Sequence, residues 1–172
     1  MTEDQFWEII ARSLKGLPKN DSYERLEKQS RQLQSLIMDL PVDEIYSFEE
    51  NLRQLFWKAY RWDLWGAAVC VLEGASDDGF AYFRYWLIAQ GKNVYNETLK
   101  DPEYLVKLSN PVGEYEDIGT MAGTCYEEKS GAEMPEVIVK QPDEPLGKRW
   151  ERKDFPKLYP KLIKKFGNPD ED

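Results

Sequence analysis

Glu73, Asp77, Asp78 and Arg84 fall within one twelve-residue stretch near the middle of the chain, with Ser76 directly before the paired aspartates. Two adjacent carboxylates and a third one turn earlier could hold a hard divalent cation such as Mg²⁺ through oxygen ligands. An arginine beside them would supply an anion-binding guanidinium. Together they would make a small-ligand site or a Mg²⁺-dependent enzyme, provided that all four open onto one pocket. A purely local account uses the same residues. Gly74 can end one helix in the left-handed conformation and Ser76 can cap the next. Asp77 and Asp78 would then lie in the first turn, where negative charge meets free N–H groups and complements the helix dipole.

Arg84 is the sharper oddity, because it lies in an almost wholly apolar run, where an unpaired charge is costly. It must pair with a carboxylate, bring its head to the surface, or hold an anion. Asp77 and Asp78 lie too far back for a helical pair, which needs a spacing of three or four. Glu73, on the preceding element, is the nearest alternative.

The 172 residues include no histidine. That removes Ser-His-Asp and Cys-His triads, most zinc sites and the usual proton shuttle near neutral pH. Any chemistry must run on carboxylates, Lys, Tyr, Cys or a metal held by oxygen. No complete catalytic or metal-binding constellation is present, and nothing calls for a cofactor. Two cysteines, Cys70 and Cys125, make no disulfide framework. Cys70 lies in an apolar run, where a thiol behaves as a small hydrophobe.

The elements that must position these residues read as helices. Thr2 and Gln5 fit a capping box opening a helix with Phe6, Ile10 and Leu14 on one stripe. Asp21 or Ser22 can cap a second helix running to about Leu40, with Leu26, Leu33 and Ile37 at helical spacing. Pro41 permits a third, Val42 to Tyr60, burying Ile45, Phe48, Leu52, Leu55, Phe56 and Ala59. Trp62 to Glu73 and Phe80 to Ala89 are apolar on nearly every face, so both must be buried. Joined by a few residues, they predict an aromatic helical hairpin at the centre, with Gly66 allowing a neighbouring helix to approach closely. A short helix over Val94–Leu99, another after Pro102 and one within Glu114–Glu128 follow. Residues 130–147 hold three prolines and read as a loop, with Val137-Ile138-Val139 either a short strand or an extended stretch. The last helix spans Pro156–Phe166, with Leu158, Leu162 and Phe166 on its apolar stripe and lysines elsewhere. The expectation is an all-α, compact multi-helix bundle, with residues 1–172 forming one domain.

The hairpin also carries a resemblance. Asp63-Leu64-Trp65-Gly66-Ala67-Ala68, then Gly74-Ala75-Ser76-Asp77-Asp78-Gly79-Phe80, then Phe83-Arg84-Tyr85-Trp86-Leu87-Ile88-Ala89-Gln90-Gly91 resemble the bacterial family called domain of unknown function 4240. Phe6-Trp7-Glu8-Ile9-Ile10 fits the start of that family, and Asp101-Pro102-Glu103-Tyr104-Leu105 and Tyr159-Pro160-Lys161-Leu162 its later segments. The resemblance implies an all-helical bacterial protein. It carries no assigned activity.

The net charge of −9 is uneven. Residues 148–165 set eight cations against Glu151 and Asp154, so the rest of the chain is strongly acidic. An acidic body repels nucleic acid and suits a basic partner. No apolar run approaches the roughly 20 residues of a membrane span, and the acidic N-terminus lacks the features of a secretory signal, so a cytoplasmic location is expected. Trp57, Trp62 and Trp150, each near charged neighbours, are the candidate contacts for a partner. The expected function is a protein-protein interaction module, of the immunity or toxin-neutralising type, binding a basic partner. The oligomeric state stays open.

Overall fold

The computed structural model describes residues 1–109 and 111–169. Its α-helices are α1 (Glu3–Ser13), α2 (Tyr23–Met38), α3 (Val42–Lys58), α4 (Trp62–Leu72), α5 (Asp77–Ala89), α6 (Lys92–Lys100), α7 (Ile118–Ser130), α8 (Phe155–Leu158) and α9 (Pro160–Phe166). Single 3₁₀ segments cover Pro102–Lys107 and Arg152–Asp154. Among the described residues there is no strand, and the fold is all-α. No described helix is long and apolar enough to cross a membrane.

Local chemistry sets most boundaries. The Gln5 N–H donates to Thr2 Oγ1 at 3.3 Å while Gln5 Oε1 accepts from the Thr2 N–H at 2.7 Å, a complete capping box. At the second helix Ser22, not Asp21, takes the cap, accepting from the Arg25 N–H at 3.1 Å. The apolar stripes then decide the packing. Phe6, Ile10, Leu33, Ile37, Ile45, Phe48 and Leu52 are wholly or almost wholly buried. They belong to α1, α2 and α3; α7 packs along α3 and α2, and α2 packs against α1.

The apolar pair α4 and α5 is buried as its composition requires, with Leu64, Ala67, Ala68, Phe80, Phe83, Trp86 and Leu87 closed to solvent. The turn between them differs from expectation in one detail. Glu73, not Gly74, takes the left-handed conformation (φ 56°, ψ 20°) at the end of α4. Gly74 follows at φ 146°, a region that side chains rarely adopt, and its N–H returns to the Val69 carbonyl at 3.0 Å. The glycine is thus needed one step later, where the chain reverses.

Gly66 does permit a close approach, by a ring rather than a helix. A Cβ at Gly66 would lie 2.7 Å from two ring carbons of Tyr159, whose hydroxyl donates to the Asp63 carbonyl at 2.8 Å. This contact explains a second difference. The single C-terminal helix expected over Pro156–Phe166 is broken at Tyr159 (φ −131°, ψ 51°), because Pro160 disfavours helical geometry in the residue before it. The break rotates the apolar stripe. Phe155, Tyr159 and Leu162 are buried, whereas Leu158 is 47% exposed.

Elsewhere the differences are smaller. The helix expected within Glu114–Glu128 begins at Ile118 and runs to Ser130, and the segment after Pro102 is 3₁₀. Residues 131–147 hold no helix and no strand. Among the described residues Val137-Ile138-Val139 has no partner strand, and the β contact in the region is a parallel bridge between Leu146 and Arg61.

Candidate functional site

The Ser76 corner is a helix cap. Ser76 Oγ accepts from the Gly79 N–H at 3.1 Å, and Asp77 and Asp78 occupy the first turn of α5. Trp65 clasps the corner from α4, its Nε1 donating to the Ala75 carbonyl at 3.0 Å and its ring stacking on Phe80 at 4.9 Å. Glu73, Asp77 and Asp78 are all exposed. Among the described residues no three Asp, Glu or Cys side chains gather as a metal site.

Arg84 is separated from these carboxylates. It is 4% exposed, and no described carboxylate pairs with it. Its guanidinium carbon lies 3.7 Å from the Phe56 ring centroid, 4.8 Å from Tyr60 and 4.9 Å from Phe80. Nε donates to the Phe80 carbonyl at 3.4 Å and Nη1 to the Phe56 carbonyl at 3.3 Å. Aromatic faces and carbonyl dipoles therefore replace the expected ion pair. Burial pushes its pKa down to about 10, so it remains a cation at neutral pH. In this position Arg84 ties α5 to the end of α3.

Asp21, expected only as a possible helix cap, has a buried carboxylate. Its side chain, 7% exposed, accepts from Arg25 Nη1 at 2.8 Å, Trp86 Nε1 at 2.8 Å and the Val112 N–H at 2.7 Å. The Asp21–Arg25 spacing of four is a helical-pair signal visible in the sequence. The other two donors come from 65 and 91 residues away.

Near Asp21, the first turns of α2 and residues 114–117 enclose a cleft of about 510 Å³. Glu24, Glu27, Glu114, Glu116 and Asp117 line it, and Tyr23, 71% exposed, stands at its side. Tyr115 fixes the two walls: its hydroxyl is 2.6 Å from Ser30 Oγ, and its N–H donates to the Tyr82 carbonyl at 3.2 Å. Burial raises the Tyr115 pKa to about 12, so this phenol stays neutral. Glu24 and Glu27 bond Lys28 and Arg31 on their own helix at 2.6 and 2.8 Å. Glu116 engages the Tyr82 hydroxyl and raises its pKa, and Asp78 and Glu114 act in the same direction. Asp78, in the first turn of α5, thus acts on the same phenol as Glu114 and Glu116 of the cleft.

Trp57, Trp62 and Trp150 lie in a different setting. Ring contacts link them in a chain: Trp57 to Tyr60 at 5.7 Å, Tyr60 to Trp65 at 6.5 Å, Trp65 to Trp62 at 5.3 Å, and Trp62 to Trp150 at 5.8 Å. Trp150 Nε1 donates to the Trp62 carbonyl at 2.7 Å, while the buried Trp57 Nε1 has no partner among the described residues. Beside Trp57 is a groove of about 580 Å³, walled by Lys58, Ile138, Lys140 and Leu146. Beside Trp150 is a hollow of about 400 Å³, framed by Asp63, Asp154, Lys148, Arg149 and Lys157. Cations outnumber carboxylates around the three tryptophans, and the acidic cleft is built from other residues.

No curated protein and no solved structure matches the chain. One family model, described as a protein of unknown function (DUF4240), matches residues 1–128. The match takes in the cap at Ser76, the Arg84 cage, Asp21 and the acidic cleft, and stops short of Trp150. This chain belongs to the DUF4240 family.

Proposed function

We propose that the protein is a cytoplasmic, bacterial protein-protein interaction module of the immunity or toxin-neutralising type, which receives a basic segment of its partner in the cleft beside Tyr23. The observation that carries this reading is the cleft itself: five carboxylates around a hollow of about 510 Å³, with a tyrosine 71% exposed at its side. Tyrosine supplies large, stiff contact area, and complementary charge speeds encounter and rejects wrong partners. The surplus of acid over the chain extends the same field, and disfavours nucleic acid as the partner. The alternative, a ligand site or Mg²⁺-dependent enzyme built from Glu73, Asp77, Asp78 and Arg84, lacks a shared pocket: the carboxylates are exposed around a helix cap and Arg84 is enclosed by rings.

The test is co-expression with products of neighbouring genes that are toxic to the host. Wild type is expected to restore growth, and Glu114→Lys/Glu116→Lys combined with Tyr23→Ala to lose that protection while keeping the wild-type melting temperature. Protection that survives these changes but disappears with Trp62→Ala or Trp150→Ala would move the interface to the tryptophan surface and overturn the reading.

A further inference from the structure

The segment 133–145 has an unusual combination of exposure and unmet backbone. From Glu133 to Pro145 no N–H or C=O pairs with another backbone group among the described residues; the carbonyl of Glu136 accepts only from the Tyr46 hydroxyl, at 3.4 Å. Burial alternates along it, with Val137 and Val139 half-buried and Glu136, Ile138 and Lys140 exposed. That is the period-two pattern of a strand. Ile138 is 86% exposed, the most exposed of the large hydrophobic side chains. Pro135 and Pro142 bound the stretch, and proline ends strand pairing because it has no N–H to give. An exposed extended segment of this kind is a template for pairing with another chain.

The charges identify which chain. Neither Glu136 nor Lys140 makes an ion pair within the molecule among the described residues. In an extended chain they stand about 13 Å apart, too far to pair with each other. An antiparallel copy of the same segment, centred on Ile138, changes this. Glu136 then faces Lys140 of the second copy, Lys140 faces its Glu136, Val137 meets Val139, and Ile138 meets Ile138. Both charge pairs and the isoleucine contact fall on the exposed face, where opposite residues of an antiparallel pair come together. The segment is self-complementary in sequence and in charge, which is the requirement of a two-fold interface.

We propose that residues 136–140 are a homodimerisation strand, which pairs antiparallel with the same residues of a second copy about an axis at Ile138. This assignment is independent of the acidic cleft and would stand if the partner proposed there were wrong.

Sedimentation equilibrium of the full chain tests it, using wild type, Glu136→Lys, Lys140→Glu and the double exchange. Wild type is expected to dimerise reversibly with concentration. Each single reversal places like charges opposite each other at both ends, and is expected to weaken dimerisation at least tenfold. The double exchange restores it. Mixing the two single variants is the most specific arm, because their heterodimer sets a lysine against a glutamate at both ends, whereas each variant alone sets like against like. It should form where neither variant pairs with itself. Both exchanged positions are exposed, and circular dichroism checks that the fold is unchanged. A wild type that stays monomeric to millimolar concentration would overturn the proposal and leave the strand for a different chain. A dimer indifferent to the single reversals, or one that mixing does not rescue, would overturn the register and with it the proposal.

Discussion

Asp21 and Arg84 are opposite charges whose side chains the fold takes largely out of water, and it satisfies them differently. Asp21 collects three donors, one of them the cation Arg25. Arg84 has no anion among the described residues, and rests on the faces of Phe56, Tyr60 and Phe80 with two long bonds to carbonyls. The difference lies in what is left behind when each is removed. Without Asp21, a guanidinium, an indole N–H and a backbone N–H are left unmet in the interior. Without Arg84, rings and two carbonyls remain: that of Phe80 lies inside α5, where the helix supplies a backbone donor, and only that of Phe56, in the last turn of α3, loses its donor. Removing one partner of a buried pair is far more destabilising than replacing a buried charge by an apolar group of its own shape.

This contrast sets the order of expected effects. Trp86→Ala removes a fully buried ring and the donor that ties α5 to Asp21, and is expected to cost about 3–5 kcal/mol in urea unfolding. Asp21→Ala belongs in the same range, about 3–5 kcal/mol, because Arg25 keeps its charge in a buried place. Arg84→Met is expected to cost less, about 1–2 kcal/mol, since the thioether chain fills the aromatic cage and only the Phe56 carbonyl is left unmet. A loss equal to that of Asp21→Ala would mean that the cation, not the volume, holds the cage together, and would erase the distinction.

Gly66→Ala probes the seam between the core and the C-terminal segment. The new methyl group collides with the Tyr159 ring, which must shift and give up its bond to Asp63. Overpacking of this kind costs about 1–3 kcal/mol. The change should also loosen α8 and α9 before the core unfolds, seen as altered Trp150 fluorescence below the main transition. A single unchanged transition would show that the seam does not separate.

Glu49 gives the smallest effect and a third way of burying charge. It is 2% exposed, bonds Arg53 Nε at 2.6 Å through Oε1, and leaves Oε2 buried without a partner among the described residues. Burial raises its pKa above the ordinary 4.5 despite Arg53. The folded protein therefore holds this proton more tightly than the unfolded chain. The stability that it contributes is present below pH 4.5 and is lost as pH rises through the folded pKa. Glu49→Gln should flatten that part of the stability-pH curve, measured as the difference from wild type. A difference curve that rises with pH in favour of wild type would reverse the assignment.

Much of the architecture was legible because it rests on local rules. The capping box at Thr2, the cap at Ser76, the buried faces of α2 and α3 and the burial of α4 and α5 all follow from residue type at fixed spacing. The misread details involve neighbours that spacing does not reveal. The turn after α4 needs its glycine at the second position because the chain reverses there. The C-terminal stripe is rotated because Pro160 breaks the helix where Tyr159 must reach Gly66. The candidate site was less legible still. Glu73, Asp77, Asp78 and Arg84 are close in sequence, yet α5 turns the arginine inward, toward rings contributed by α3 and its end.

The sequence by itself determined the helical class, the solvent-poor centre, the absence of imidazole chemistry and the surplus of negative charge, since each depends only on composition and on periods of a few residues. The tertiary structure alone decided where charge meets charge. It brought Val112 and Trp86 to Asp21, set Glu114 and Glu116 across from Glu24 and Glu27, and gathered more cations than carboxylates around the three tryptophans. Those meetings depend on contacts between residues tens of positions apart, and coulombic and hydrogen-bond energies depend on distance in space, which the order of residues along a chain does not specify.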